Sequence, residues 1–215
     1  MRGDPGTPQA TLTKALLGHA ADSLAQRDAD LASILEAHGG PPMWSRRPGF
    51  STLVRIVLEQ QVSLASARAA YGRLRAALPR MTPHRFLELS DSRLKGIGFS
   101  RQKAHYCRHL ARSMVAGELR LTRLTHLPDD DAKSELLKIK GIGPWTADIY
   151  LLMALRRVDI WPAGDLALAK AAQRLKRLDA CPDPEELNDI GASWRPFRAV
   201  AARMLWQYYL ADFAL

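Results

Sequence analysis

Two short stretches hold the residues whose types and spacing could do chemistry. The first runs Leu136-Leu137-Lys138-Ile139-Lys140-Gly141-Ile142-Gly143-Pro144-Trp145-Thr146-Ala147. Two glycines one residue apart permit a tight reversal and remove the side chains that would keep another backbone at a distance. Pro144 then suits the first turn of a helix, where its missing N–H would be unpaired anyway. The amides at such a helix start, with the positive end of the dipole, form an anion site that can grip a phosphate without reading a base. Ile139 and Ile142 are placed to anchor the bend in the core. The second stretch, Trp161-Pro162-Ala163-Gly164-Asp165, ends on a carboxylate 22 residues beyond Gly143. In its local context, Asp165 opening Leu166-Ala167-Leu168-Ala169 reads as a helix N-cap. A carboxylate there is also held ionised and oriented by the helix dipole, so capping and chemistry are compatible.

Other candidates for chemistry are weaker. His105, Cys107 and His109 suggest a metal site, but on a helix Cys107 points away from the face the two histidines share. They read instead as part of a basic, phosphate-facing helix. The two cysteines, Cys107 and Cys181, cannot supply a disulfide framework, a four-thiolate zinc site or a four-cysteine iron–sulfur cluster.

Helices must position these residues, because apolar periodicity is helical nearly throughout. One stripe starts at Leu12, Leu16, Leu17 and Leu24, and a short second helix is marked by Leu31, Ile34 and Leu35 before Gly39-Gly40-Pro41-Pro42 breaks the chain. Further helices are predicted over 50–59, 64–78, 83–89, 99–115, 129–138, 144–157, 165–178, 184–190 and 196–212, with Ser63 capping the second of these. No stretch alternates at the period of a strand, so the expected fold is all-α with short connections. The segment Leu94-Lys95-Gly96-Ile97-Gly98 echoes the glycine pair at 141–143 and reads as a plain helix C-cap.

The chain has 215 residues, a formal net charge of +9 and a sequence pI near 9.9. Its hydrophobic content of 47% and charged content of 25% are those of an ordinary globular protein. Basic residues cluster: Arg101, Lys103, Arg108, Arg112, Arg120 and Arg123 share their stretch with one acid, Glu118. Acid-free runs surround Lys170–Arg177 and Arg195, Arg198 and Arg203. Either these are solvated helix faces or they meet a polyanion through long-range attraction and counterion release. The longest strongly apolar run, Ile149 to Leu155, is far short of the about 20 residues a bilayer span needs. The start, Met1-Arg2-Gly3-Asp4-Pro5-Gly6, has no apolar core like a secretory signal's. An intracellular protein without a membrane partner is expected.

Taken together, these segments carry a family resemblance. The 136–147 stretch resembles the helix–hairpin–helix motif of the DNA glycosylase superfamily, and Trp161–Asp165 resembles its Pro/Asp-containing loop. Leu58-Glu59-Gln60-Gln61-Val62-Ser63 is similar to the family's N-terminal Gln-containing segment. Trp194-Arg195-Pro196-Phe197-Arg198, with Trp206 beyond it, resembles the C-terminal helix of the 3-methyladenine DNA glycosylase II type. The resemblance runs from about Asp28 to the C-terminus, and an ordered set of segments is far more specific than a lone glycine pair.

The resemblance implies two interleaved helical subdomains flanking a cleft, over residues 10–215, without the extra N-terminal β-domain of a close relative type. Residues 1–9 are expected to form a disordered tail. It assigns Asp165 as the catalytic carboxylate, beside a deoxyribose whose charge rises as the base departs. Backbone amides around Gly141, Gly143 and Thr146 would hold DNA phosphate, and Trp145 and Trp206 would line the base pocket. For Trp206, core packing beside Met204, Leu205 and Tyr209 stands as the alternative. Gln61 would plug the duplex where a base is flipped out, unless it is simply part of a polar turn capped by Ser63. Carbonyls equivalent to those of Leu137, Ile139 and Ile142 bind a monovalent cation in the family, so Na+ or K+ is expected there, with no iron–sulfur cluster and no required cofactor. Bifunctional members place a lysine where this chain has Trp145, which implies a monofunctional enzyme. Ile149 departs from the tyrosine of a close relative type and implies a more open cleft.

The expected activity is therefore hydrolysis of the N-glycosidic bond of alkylated, cationic purines such as 3-methyladenine. The expected partner is double-stranded DNA containing damaged bases, met by a monomer in the cytoplasm with the nucleoid or elsewhere with intracellular DNA. Two other readings remain open: a glycosylase of the same fold for deaminated or oxidised bases, and a non-catalytic helix–hairpin–helix DNA-binding protein.

Overall fold

The computed structural model describes residues 10–212; the expected tail at 1–9 lies outside them. Among the described residues the chain forms α1 (Lys14–Arg27), α2 (Ala29–His38), α3 (Phe50–Glu59), α4 (Leu64–Ala77), α5 (Pro83–Leu87), α6 (Asp91–Ile97), α7 (Arg101–Val115), α8 (Asp129–Leu137), α9 (Pro144–Met153), α10 (Leu166–Lys176), α11 (Pro184–Ala192) and α12 (Arg198–Asp212). A 3-10 turn, Arg123–His126, precedes α8. Strand pairing among these residues is limited to an isolated bridge between Thr11 and Arg157, so the fold is all-α as predicted. None of these helices is long and apolar enough to cross a membrane.

Short polar residues decide where most of these helices begin. Thr13, Asp28, Ser63, Thr82, Ser90, Ser100, Asp165 and Asp183 each accept a backbone N–H from the first turn that follows. Asp183 forms a full capping box with Glu186, ahead of Pro184 in the first turn.

The structure moves several predicted boundaries. The helix expected to reach Arg157 stops at Met153, because Arg156 turns left-handed (φ 55°) and the Arg157 N–H reaches back to the Leu151 carbonyl. The Arg156 carbonyl then accepts the Leu12 N–H at 2.7 Å. The last helix begins at Arg198, two residues later than predicted, where Asp159 takes the Arg198 N–H and its guanidinium. The seven-residue α6 is too short to leave a periodic signal. Its C-cap is Gly98, left-handed at φ 110°, as the first glycine pair implied.

The helices sort into two units, divided within α9 between Tyr150 and Leu151. Residues 46–150 form one of them. Its α3 buries Phe50, Leu53, Val54, Ile56, Val57 and Leu58, and Phe86 packs between Phe50 and Phe99 at centroid distances of 5.6 and 5.9 Å. Cys107 is fully buried on α7 while His105 is exposed, and burial pushes the thiol well above its ordinary range. In the other unit, residues 10–45 and 151–212, α12 packs against α1, α2, α10 and α11. Asp28 ties this unit together. It caps α2 and accepts Lys176 Nζ (2.9 Å) and Trp194 Nε1 (2.8 Å).

Burial would raise the Asp28 carboxyl, but the hydrogen bonds from Lys176, Trp194 and the Leu31 N–H outweigh it and hold the group below its ordinary 3.8. A depressed carboxylate stabilises the fold above its unfolded pKa, and the contribution is lost as pH falls through the folded value. Asp28→Ala therefore lowers stability by about 1–3 kcal/mol near neutral pH, through the lost cap and the stranded donors. Thermal unfolding from pH 7 to below pH 4 checks this: the difference in Tm between the two proteins shrinks as the medium turns acid.

Candidate active site

The bend between α8 and α9 is built around Gly141. Ile139 and Ile142 are buried beneath it, 5% and 4% exposed, as the sequence predicts, and the Ile142 N–H bonds to the Ile139 carbonyl at 3.0 Å. Gly141 is left-handed (φ 93°), and a Cβ there would run into the Tyr106 ring on α7. Both facts require glycine. Gly143 differs: it is exposed, with open space where a Cβ would go. Its side-chain-free surface faces outward rather than into the protein. The Lys133–Asp148 ion pair (2.7 Å) ties α8 to α9.

Gln60, the C-cap residue of α3, fastens this bend from the side. Its Nε2 donates to the Gly141 carbonyl (3.1 Å) and to Thr146 Oγ1 (2.8 Å). Thr146 is 1% exposed, and its hydroxyl, bonded to Gln60, serves the fold. The neighbouring Gln61 is exposed and left-handed (φ 53°), beside exposed Val62 and Leu64. Two adjacent glutamines thus part company, one locking the bend and one presented outward. Trp145 is half-buried in the first turn of α9, and Ile149 one turn later is buried.

In the second unit, Trp161 anchors the loop that ends on Asp165. Its Nε1 donates to the Leu187 carbonyl (3.0 Å), its ring packs edge-on to Trp194 at 5.4 Å, and a Cβ on Gly191 would meet it at 2.7 Å. The Asp165 N–H returns to the Pro162 carbonyl (2.9 Å). Asp165 is half-buried, and its Oδ1 accepts the Leu168 N–H (3.0 Å) and Trp206 Nε1 (3.1 Å). The expected cap is present, and Trp206 meets the carboxylate directly. Trp206 is buried, 8% exposed, and edge-on to Trp44. Asp148 and Asp159, the neighbouring acids in sequence, are engaged by Lys133 and by Arg195 and Arg198.

The residues expected to bind a monovalent cation have suitable chemistry. Leu137 ends α8, whose last carbonyls lack intrahelical partners. The Ile139 carbonyl accepts one N–H and keeps a second lone pair. Neutral backbone oxygens of this kind suit Na+ or K+. Sequence reasoning missed Gln60 as the lock and Tyr106 as the surface beneath Gly141; a doubled glutamine before a capping serine was the one signal for the former.

Gly141→Ala must overcome both a left-handed backbone and the Tyr106 ring, so it should destabilise by about 2 kcal/mol or more. Gly143→Ala should stay within about 0.5 kcal/mol of wild type, as surface changes do. Chemical denaturation of the two variants checks the contrast, and equal losses would contradict it.

Comparison with known proteins places this architecture. Residues 54–196, well over half of the chain, match the HhH-GPD superfamily of base excision DNA repair proteins. The Bacillus subtilis protein YfjP, assigned provisionally as a DNA-3-methyladenine glycosylase, is 29% identical over 82% of this chain, which spans 64% of YfjP. The Schizosaccharomyces pombe 3-methyladenine DNA glycosylase Mag1, solved with abasic DNA, superposes with a TM-score of 0.81 at 25% identity, covering 87% of this chain and 95% of that one. A DNA-3-methyladenine glycosidase from Bacillus halodurans gives 0.75 at 29% identity, over 91% and 90% of the two chains. With its glycine bend, its loop-borne aspartate and its all-helical frame, this chain belongs to the HhH-GPD superfamily of base excision DNA repair proteins.

Proposed function

We propose that this protein is a monofunctional DNA glycosylase that removes alkylated, cationic purines such as 3-methyladenine from double-stranded DNA. The observation that carries this reading is Asp165: a half-buried carboxylate at a helix N-terminus, held by an indole N–H and a backbone N–H, in a chain of this superfamily. Similarity to Mag1 and to the Bacillus glycosidase supports the same substrate class.

In this mechanism the flipped nucleotide presents its C1′ to the Asp165 carboxylate. As the C1′–N bond breaks, the sugar gains positive charge, and a fixed anion stabilises that transition state. Water then adds to C1′, its proton passing to Asp165 or to solvent, and an abasic site remains. A cationic purine departs as a neutral base, so no second acid is needed. Tryptophan at 145 supplies no amine for a Schiff base, which supports base release without strand cleavage. Lys138 is paired with Glu135.

The hairpin would hold phosphate through amides around Gly141, Gly143 and Thr146, with Gln61 as the duplex plug. Carbonyls of Leu137, Ile139 and Ile142 would hold a monovalent cation that adds positive charge toward the phosphate. The net charge of +9 and the exposed Arg101, His105 and Arg112 on α7 favour a polyanionic partner and a monomer acting on intracellular DNA.

Duplex oligonucleotides, each carrying one lesion, test this directly. Release of 7-methylguanine or 3-methyladenine should appear as alkali-dependent strand breaks, with no breaks when alkali is omitted. Asp165→Asn should slow release by about 100-fold or more while duplex binding is retained. Release at near wild-type rate by that variant would overturn the assigned role, and alkali-independent nicking would overturn the monofunctional reading. Excision of only deaminated or oxidised bases would move the substrate class.

A further inference from the structure

Three consecutive residues at the end of α3 are each held by different side-chain bonds. Lys103 Nζ, on α7, donates to the Leu58 carbonyl at 2.8 Å, which sets a cation at the negative end of the helix dipole. The Glu59 carboxylate, 7% exposed, accepts both Nη atoms of Arg46 (2.8 and 3.0 Å) and Arg55 Nε (3.2 Å). Gln60 Nε2 donates to the Gly141 carbonyl and to Thr146 Oγ1. Arg55 also lies over the Tyr71 ring of α4, 5.5 Å from its centroid, and Tyr71 shares a 2.6 Å hydrogen bond with Ser51 on α3. The helices on both sides of the turn are thus joined through one carboxylate. The next residue, Gln61, is exposed and left-handed (φ 53°), a conformation that is costly wherever a Cβ is present.

A polar turn capped by Ser63 requires no buried carboxylate, and taking one out of water costs desolvation that apolar packing avoids. The bonds at 58, 59 and 60 instead fix the direction in which Gln61 leaves the protein. We propose that Glu59 and Lys103 are positioning residues for Gln61, clamping the end of α3 so that this side chain can enter a base stack without the turn giving way. The proposal rests on the reading of Gln61 as the duplex plug. Opening a stacked duplex costs energy, and a side chain pushed into it is pushed back with equal force. A turn free to relax would retreat and let the base restack. Held at three successive residues, the turn passes that load to α7, to the hairpin and, through Arg55 and Tyr71, to α4.

Two readouts separate positioning from folding. In the first, 2-aminopurine beside a tetrahydrofuran abasic analogue in a duplex brightens when its stack is opened, so the rise at saturating protein reports insertion without chemistry. In the second, 7-methylguanine is excised in single turnover from opposite cytosine and from opposite tetrahydrofuran, where flipping costs less. The ratio of the two rates cancels any loss of folded enzyme. Glu59→Gln should lower the paired-to-unpaired ratio by about 10-fold and reduce the fluorescence rise, Lys103→Met should lower the ratio by about threefold, and Glu59→Asp should stay within about threefold of wild type. In a Gln61→Ala background, Glu59→Gln should change the ratio by less than about twofold, because the clamp then has nothing to position. Equal losses on both duplexes, or additive losses in the double variant, overturn the positioning role and leave Glu59 as a structural ion pair. Wild-type ratio and fluorescence in Gln61→Ala alone overturn the plug reading, and the proposal with it. Absence of excision by wild type overturns the glycosylase reading, and the fluorescence series then decides the positioning role by itself.

Discussion

The hydrogen bond from the Trp206 indole to Asp165 is the contact on which the candidate site depends. It joins the last helix to the start of α10 and meets the carboxylate on the same oxygen that caps that helix. N–H donors and the positive end of the helix dipole both favour an anion at a helix N-terminus. Trp161 makes this geometry reproducible. Packed on Gly191 and bonded to the Leu187 carbonyl, it stops the preceding loop from drifting, so Asp165 arrives at its helix from a fixed direction.

The hairpin is held by a different kind of constraint. Its two glycines look equivalent in sequence, yet one is internal and one external. Gly141 lies against Tyr106 and could not carry a side chain; Gly143 meets only open space. Gln60 then connects the bend to the end of α3 by two bonds from a single amide. A surface that grips a backbone through its own amides must not flex, because such bonds are short and directional. The lock and the buried isoleucines supply that rigidity.

Buried charge recurs as a structural device in both units. Lys133 and Asp148 clamp the helices flanking the hairpin, and Asp28 gathers a helix start, a lysine and an indole. Arg203 gathers three carbonyls. Removing any one partner would strand a desolvated polar group, so each pins its neighbours in a single arrangement.

Much of this was legible in the chain alone. Helical periodicity and capping residues determined the fold class and most helix starts, because these depend on near neighbours, whereas Asp165 stood out as the carboxylate to examine only through the family resemblance carried by the order of the glycine bend and the aspartate loop. Local order could not decide where α9 ends, since that turn is set by Leu12 pairing with Arg156 from the far end of the chain. Nor could it separate Gln60 from Gln61, or show that Trp206 bonds to Asp165 while Trp44 keeps open surface. Those distinctions are matters of which side chain meets which across residues distant in sequence. Residue type sets what a group can donate or accept; only packing decides what it faces.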